Sequence, residues 1–285
     1  MTAALLDSAG GMTATCAVVF FAGVAHGLSG FGFPLISTPT VALFSEVRAA
    51  VLITVVPNIA LNVVSAASGA GWRENLRRHW AMPMWVLIGA ATGTQVAIWA
   101  PANALRLLLA AMIVVYLQQE RLRVIDWSVI RRHPDATGCA MGLLGGFLSG
   151  TVNVMLPPIL IYFSTLGLPV LAMTQVMNAC FLVGKVSQAT VFALQGLLTW
   201  DRLLLGIPVT LFALAGFWVG VKLRPRFSPE TFKRIIRVVL WMMAALLVFQ
   251  VVRVDGRNAA SATAVKVDGR GDPPREAGGA VRRSH

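Results

Sequence analysis

Long apolar segments alternate with short polar ones along most of the chain. A membrane-spanning helix needs about 20 predominantly apolar residues, and most of these segments are at least close to that length. The pattern therefore predicts an all-α, polytopic membrane protein. The apolar stretches cover residues 12–44, 48–71, 80–99, 102–118, 137–165, 169–198, 203–221 and 235–252.

The first and fifth stretches are longer than one crossing requires, and both contain glycine and proline where a helix should be unbroken. The tripeptide Leu-Ser-Gly occurs at residues 28–30 and again, 120 residues later, at 148–150. We predict two pseudo-symmetric repeats, each with three spanning helices and one broken helix, which is re-entrant in one of two topologies and whose halves join at the Ser-Gly motif. The same offset aligns two further pairs of residues, Thr54 with Thr174 and Asn58 with Asn178.

Broken helices at corresponding places in two halves of a membrane protein are a sequence pointer to a transporter's binding site. Lipid cannot hydrogen-bond the backbone groups that a break frees, so a break is tolerated only where protein or a water-filled cavity surrounds it. The N-terminal tip of a half-helix presents free N–H groups and a positive dipole end. Two such tips predict a binding site for a small anion.

Charged residues are almost absent from the apolar stretches and lie mainly in the segments between and after them. The chain is 56% hydrophobic and only 13% charged, against about 25% charged residues in a soluble domain. No Asp or Glu lies inside an apolar stretch, and the net charge of +12 comes from basic loops and a basic tail. Membrane topology explains this distribution, since basic loops stay in the cytoplasm, and no nucleic-acid partner is needed. Membrane lipid is the expected surrounding partner.

Enzyme, cofactor and metal signatures are absent from the sequence. It has no HExxH, GxSxG or P-loop motif, and no apolar stretch holds a pair of acids for acid–base catalysis. The three cysteines, Cys16, Cys139 and Cys180, are far apart in apolar sequence and are read as small buried hydrophobic residues. We therefore expect a protein that is not an enzyme and has no cofactor and no metal.

Two membrane topologies fit the sequence. Eight crossings give parallel repeats, whereas re-entrant broken stretches give three crossings per half and inverted repeats. The inverted arrangement is favoured because it puts the three most basic loops on the cytoplasmic side. In either case the chain divides into a first membrane repeat (1–118), a cytoplasmic basic loop (119–136), a second membrane repeat (137–252) and a disordered basic tail (253–285). The oligomeric state is left open.

The candidate substrate-binding residues lie at the two breaks and on the stretches that follow them. Lys185 is the only charged side chain well inside a stretch, where insertion costs about 2.5–3.5 kcal/mol, so it needs a cavity or a partner. An anionic ligand would supply the missing charge, and snorkelling to an interface is the alternative. The full candidate set is Ser29, Gly30, Gly32, Asn58, Ser149, Gly150, Thr151, Asn153, Asn178 and Lys185.

The residues at the two breaks resemble a known family. The segment 27–39, GLSGFGFPLISTP, and the segment 142–150, GLLGGFLSG, which continues to Pro157-Pro158, are similar to the signatures of the sulfite exporter TauE/SafE family. The resemblance extends over about residues 12–252. It implies a multi-pass protein of the bacterial inner membrane that moves a small sulfur-containing anion, such as sulfite or an organosulfonate, mostly outward.

The alternatives concern substrate and role. Phe31 and Phe33 flank Gly32, and Thr151-Val152-Asn153 stands where the family has glycines. Bulkier residues would reshape the site, so another small oxyanion or a carboxylate stays open as the substrate. A non-transporting membrane scaffold or assembly factor is the rival from a different class, and a selective channel is the nearer one.

Overall fold

The computed structural model describes residues 9–67, 70–122, 126–226, 228 and 234–252. All regular secondary structure within these residues is helical. The chain divides into a compact unit of residues 1–248 and a second unit of residues 249–285, of which only the last four residues of a helix, 249–252, are described. The predicted disordered tail, 253–285, lies outside the described residues.

The helices follow the apolar stretches closely. The first stretch folds into two helices, α1 and α2, and the fifth into α9 and α10, whereas each remaining stretch supplies one long helix. Three short helices, α4, α7 and α8, lie in the polar segments that the sequence analysis treated as loops. The bounds are α1 Ala9–Ser29, α2 Phe33–Ala42, α3 Val47–Ala66, α4 Trp72–Arg78, α5 Ala81–Trp99, α6 Ala102–Leu117, α7 Gln119–Leu122, α8 Ser128–Arg132, α9 Pro134–Val152, α10 Leu156–Thr165, α11 Val170–Leu194, α12 Trp200–Leu223 and α13 Arg234–Val252.

The protein is a multi-pass membrane protein. Among the described residues, six helices are long and apolar enough to cross a bilayer: α1, α3, α5, α11, α12 and α13. Their outward surfaces carry large exposed apolar side chains, including Trp80, Trp99 and Trp200 at helix ends, where tryptophan favours the membrane–water interface. These six differ from the six of the re-entrant topology, since α1 is included and the 16-residue α6 is not. The choice between the two topologies stays a prediction.

Each broken helix packs most extensively against a helix of the other half of the chain. Helix α1 packs along α12, and α9 packs along α5. A Cβ atom at Gly23 of α1 would lie 2.2 Å from the Ala213 carbonyl oxygen of α12, and one at Gly146 of α9 would lie 2.3 Å from the Val86 carbonyl oxygen of α5. Helix backbones in direct contact are typical of small-residue interfaces in lipid.

The glycine contacts are reciprocal. A Cβ at Gly216 of α12 would meet the Phe20 carbonyl oxygen at 2.0 Å, and one at Gly93 of α5 would meet the Phe147 carbonyl oxygen at 2.2 Å. The sequence has small-residue pairs, Gly89 with Gly93 in the third stretch and Gly216 with Gly220 in the seventh, at a spacing that predicts close helix packing in lipid, and these contacts confirm it. Their partners are the glycine pairs at 23 and 27 in α1 and at 146 and 150 in α9.

Helices α3 and α11 occupy the interior and position the candidate site. Helix α11 packs against α3, α5 and α4, while α3 also packs against α2 and α12. Polar residues at helical spacing form one buried face of each: Thr54, Asn58, Asn62 and Ser65 on α3, and Asn178, Lys185 and Gln188 on α11.

Candidate functional site

The first break comprises residues 30–32, between α1 and α2. Gly30 adopts a left-handed conformation with φ of +87°, which glycine reaches without the steric cost that a Cβ imposes. Its N–H donates to the His26 carbonyl oxygen at 2.6 Å. The Ser29 hydroxyl donates to the Ala25 carbonyl oxygen at 2.8 Å and accepts weakly from the Phe31 N–H at 3.4 Å. The predicted join at the first Ser-Gly motif is confirmed.

His26 caps the helix that begins after this break. Its Nδ1 accepts from the Phe33 N–H at 3.4 Å, which leaves the proton on Nε2 to donate to the Ser65 hydroxyl at 2.8 Å. The side chain is wholly buried. A lone histidine in an apolar stretch is more often a packing residue, but His26 forms a hydrogen-bonded link from the break to α3.

The second break comprises residues 153–155, three residues later than predicted. Ser149, Gly150 and Thr151 are helical residues of α9, so the expectation that the half-helices join at Ser149-Gly150 is wrong. The helix ends at Asn153, whose φ of 65° and ψ of 26° are left-handed. Its N–H donates to the Ser149 carbonyl oxygen at 3.1 Å, a common way to close a helix that asparagine tolerates.

Proline positions mark both breaks better than the repeated tripeptide does. Gly30 lies four residues before Pro34, and Asn153 lies four residues before Pro157; each proline occupies the first turn of the following helix. Proline fits a first turn because the N–H it lacks would be unpaired there in any case. Corresponding residues of the two breaks are therefore 123 apart (153 − 30), not 120. The pseudo-symmetry of the two halves stays a prediction.

The Asn153 side chain ties the second break to the first half of the chain. Its Nδ2 donates to the Thr38 hydroxyl of α2 at 2.6 Å and approaches the Thr54 hydroxyl of α3 at 3.5 Å. Its Oδ1 is buried and has no hydrogen-bond partner in the protein. Thr38 was not among the predicted residues, and its position in an apolar run gave no signal.

The Asn178 side chain makes the reciprocal link from α11 to the first break. Its Nδ2 donates to the Gly30 carbonyl oxygen and to the Thr174 carbonyl oxygen, both at 2.8 Å. Carbonyl oxygens only accept, so this orientation of the amide is determined, and its Oδ1 is left buried and unpartnered. Each break is thus held by a residue that follows the other break in the chain.

Lys185 lies at the centre of the interior and touches α9. It is 0% exposed, and its Nζ donates to the Ser149 carbonyl oxygen at 3.3 Å and to the Gln188 Oε1. Gln188 Nε2 in turn donates to the Gly150 carbonyl oxygen at 2.8 Å. Three donors belong to a lysine ammonium, so one N–H is still available.

No carboxylate in the described part of the chain pairs with Lys185. The ion pairs found there are Arg77 with Glu74 and Arg131 with Asp126, and both are exposed. The Ser149 hydroxyl beside the lysine is also buried and unpartnered. The Lys185 Nζ and an open hydroxyl therefore lie together in one buried place.

Asn58 and Asn62 form a pair on α3. Asn62 Nδ2 donates to the Asn58 carbonyl oxygen at 2.7 Å and to the Asn58 Oδ1. This leaves Asn58 Nδ2 as a free donor and Asn62 Oδ1 as a free acceptor, both buried. Their spacing of four residues places both side chains on one face of the helix.

The contacts show that α3 and α11 run in opposite directions. Thr54 of α3 reaches Asn153, one turn beyond the Ser149 carbonyl that Lys185 binds. Ser65, later in α3, reaches His26, one turn before Gly30, whose carbonyl Asn178 binds. Increasing numbers on α3 thus correspond to decreasing numbers on α11. Asn62 and Asn178 lie toward the first break, whereas Asn58 and Lys185 lie further toward the second.

Three of the predicted site residues, Gly32, Gly150 and Thr151, take part in helix packing or in hydrogen bonds within the protein. A Cβ at Gly32 would lie 2.9 Å from the Ser29 hydroxyl oxygen, and a Cβ at Gly150 would lie 2.4 Å from the Ala90 carbonyl oxygen of α5. The Thr151 hydroxyl donates to the Phe147 carbonyl oxygen of its own helix at 2.9 Å. The first break is partly exposed, whereas the second is buried. The polar centre, defined as Asn58, Asn62, Ser149, Asn178 and Lys185, is 0% exposed throughout, so it is closed in this structure.

No group of three or more His, Cys, Asp or Glu side chains that could hold a metal ion occurs among the described residues. Outside the spans, burial and the neighbouring Arg78 guanidinium lower the pKa of His79.

A comparison with known proteins supplies the family. No curated protein and no solved structure matches the chain. The family model described as sulfite exporter TauE/SafE matches residues 15–247, which include both breaks, α3 and α11. Its members are membrane transporters of anions. With its two broken helices and its family match over most of its length, the chain belongs to the sulfite exporter TauE/SafE family.

Proposed function

We propose that the protein moves a small sulfur oxyanion, sulfite or an organosulfonate, outward across the inner membrane through the polar centre between α3 and α11. The observation that carries the proposal is Lys185, a fully buried cation with no carboxylate partner in the described residues. The family membership supports an anion as the substrate.

A bound anion would remove a specific energetic problem. A lysine near the bilayer centre is unfavourable by about 2.5–3.5 kcal/mol on insertion scales. Neutral acceptors, the Ser149 carbonyl and the Gln188 amide, solvate two of its three N–H groups but leave the charge uncompensated. An oxyanion oxygen would accept from the third N–H and from the open Ser149 hydroxyl. We therefore assign Lys185 and Ser149 to binding of the anionic group.

The candidate residues divide into binding groups and supporting groups. Asn58, Ser149 and Lys185 offer donors toward the ligand. Gly30, Asn153 and Asn178 hold the breaks in place through their backbone conformation or cross-links. Ser29, Gly32, Gly150 and Thr151 keep the helix ends and the α5–α9 contact intact.

Burial of the centre requires a conformational change during transport. Unpartnered polar atoms in a closed site are unfavourable by about 1–3 kcal/mol each, and water or ligand would satisfy them once the site opens. A membrane scaffold would share the complete burial of the second break. A scaffold does not bind a ligand, so it would not require unpartnered polar atoms beside a buried lysine. This cluster therefore favours a transporter over a scaffold.

Export needs no coupling ion. An anion leaving a cell that is negative inside gains about 2.3 kcal/mol per charge per 100 mV. The six candidate spans include no buried Asp or Glu in the described residues, so a carboxylate proton relay is not available there. We propose uniport driven by the membrane potential.

The test is uptake of radiolabelled sulfite by proteoliposomes under an imposed potential. Wild-type protein is expected to give saturable, voltage-driven flux that does not change with a proton gradient at fixed voltage. Lys185→Ala should reduce the flux by at least about tenfold, the value of one charge-assisted hydrogen bond. Lys222→Ala, which removes an exposed lysine of α12, is the matched control and should retain it.

Three results would contradict the proposal. Equal flux in Lys185→Ala and Lys222→Ala would remove Lys185 from the site. Flux that follows the proton gradient at constant voltage would rule out uniport. Absence of saturable uptake for sulfite and for competing sulfonates would favour the scaffold or a different solute, whereas turnover at channel rates without counterflow would indicate a channel.

A further inference from the structure

The unpartnered atoms of the polar centre are of two kinds, and the order of contacts along α3 and α11 places the two kinds toward different breaks. On the side of the second break they are donors: Asn58 Nδ2, the third N–H of Lys185 and the Ser149 hydroxyl. On the side of the first break they are acceptors: Asn62 Oδ1 and Asn178 Oδ1. All five residues are fully buried, with 0% of their surface exposed.

The orientation of the two acceptors follows from their neighbours. Asn178 Nδ2 faces two carbonyl oxygens, and Asn62 Nδ2 faces the Asn58 carbonyl oxygen. Turning either amide over would set oxygen against oxygen. Both Oδ1 atoms therefore need a hydrogen-bond donor, which a fully deprotonated oxyanion does not have.

The Asn58–Asn62 pair sets the spacing between the two kinds of group. Its members are four residues apart on α3 and bonded amide to amide, with the free donor at the Asn58 end and the free acceptor at the Asn62 end. Four residues of α-helix correspond to about 6 Å along the axis. A ligand that satisfies both ends therefore has an anionic group and a donor separated by a few bonds.

We infer that the site takes a short sulfonate that carries its own hydrogen-bond donor, in preference to compact sulfite or a purely alkyl sulfonate. The anionic group binds Lys185, Ser149 and Asn58, and the donor binds the Asn62 and Asn178 oxygens. This inference rests on the proposed function and names the substrate class for that site. The discrimination comes from buried acceptors, because an analogue without the donor leaves them unpaired.

The experiment compares two probes that differ by one hydroxyl group. In proteoliposomes that take up radiolabelled sulfite, 2-hydroxyethanesulfonate and ethanesulfonate are titrated as competitors. Both are monoanions with the same two-carbon chain, so the charge is matched and the hydroxyl group is the only difference. The hydroxyl-bearing sulfonate is expected to compete at least about tenfold more strongly.

A variant locates the source of the preference. Asn62→Ala should remove most of the hydroxyl advantage, measured within the variant as the ratio of the two competition constants, since only the hydroxyl-bearing sulfonate uses the Asn62 acceptor. Asn75→Ala, which removes an amide of α4 paired with Gln175 outside the centre, is the matched control and should preserve the advantage. If Asn62→Ala does not yield folded protein, the two probes on the wild-type protein still decide the question.

The outcomes separate the inference from the proposed function. Equal competition by the two sulfonates, with sulfite flux intact, overturns the inference alone. A hydroxyl advantage that survives undiminished in Asn62→Ala also overturns it, because the donor then binds elsewhere. Absence of any saturable sulfur-anion flux overturns the proposed function itself.

Discussion

The two breaks end a membrane helix in the same backbone conformation but through different residues. At the first break, glycine is the left-handed residue, its cross-link comes from the Asn178 side chain of α11, and the segment is partly exposed. At the second break, asparagine is the left-handed residue, its own side chain hydrogen-bonds to α2 and α3, and the segment is buried. The glycine depends on a side chain from another helix for its cross-link, whereas the asparagine supplies both the conformation and the cross-link. The second break is therefore the more constrained.

Replacing a packing glycine in either helix that leads into a break should lower the stability of the protein by a similar amount. This is the largest effect we expect. Gly23→Ala and Gly146→Ala each set a methyl group against a carbonyl oxygen of the partner helix at 2.2 and 2.3 Å. Overpacking of this kind destabilises by about 1–3 kcal/mol, and a rigid backbone neighbour favours the upper end. The thermal midpoint of the purified protein, followed by tryptophan fluorescence, measures it.

Gly206→Ala is the control for both. No atom lies within 4 Å of a Cβ at Gly206, and alanine is the better helix former by about 1 kcal/mol. Its midpoint should not fall. If all three variants behaved alike, helix propensity rather than the helix–helix contact would govern these positions.

Substitutions at the two left-handed residues, Gly30 and Asn153, should distinguish the effect of backbone conformation from the effect of the side chain. Asn153→Gly keeps the conformation and loses only the bridge to Thr38 and Thr54, whereas Asn153→Ala also forces alanine into a left-handed conformation at a cost of about 1–2 kcal/mol. Gly30→Ala should resemble the latter, since it adds the same strain and sets a methyl 2.8 Å from the Thr174 Cγ2. The expected order of midpoints is wild type, then Asn153→Gly, then Asn153→Ala.

An Asn153→Gly midpoint as low as that of Asn153→Ala would show that the bridge, not the backbone, holds the second break. Flux measured on the same variants sharpens the comparison. Loss of flux in Asn153→Gly with a nearly unchanged midpoint would make the bridge a feature of transport.

The serines of the two Ser-Gly motifs should give the smallest effects on stability, and only the first should lower it when replaced by alanine. Ser29→Ala loses the hydrogen bond to Ala25 and should destabilise by about 0.5–1.5 kcal/mol. Ser149→Ala loses no bond, because its hydroxyl has no partner, and its midpoint should not fall. Sulfite should nevertheless bind this variant about fivefold more weakly, the value of roughly 1 kcal/mol for one hydrogen bond. Unchanged apparent affinity would remove Ser149 from the anion site.

The positions of the breaks could be predicted only in part from local sequence. The apolar stretches, their excess length and the prolines after the breaks are local properties, and they gave the helices and the first break correctly. The second break was misplaced because Leu-Ser-Gly is compatible with a helix, so the tripeptide does not itself end one. Its end depends on Asn153, whose left-handed conformation is stabilised by bonds to Thr38 and Thr54 far away in the chain.

The sequence by itself determined the membrane environment and the all-helical class, because these follow from hydropathy, length and the distribution of charge. Tertiary structure alone decided what meets at the centre: that Lys185 is buried rather than extended to an interface, that it binds the carbonyl of Ser149, and that Asn178 holds the first break. The physical reason is the distance along the chain over which each effect acts. Hydropathy and helix propensity act within a few residues, whereas these hydrogen bonds join residues more than 30 positions apart, and only the packing of whole helices brings them into contact.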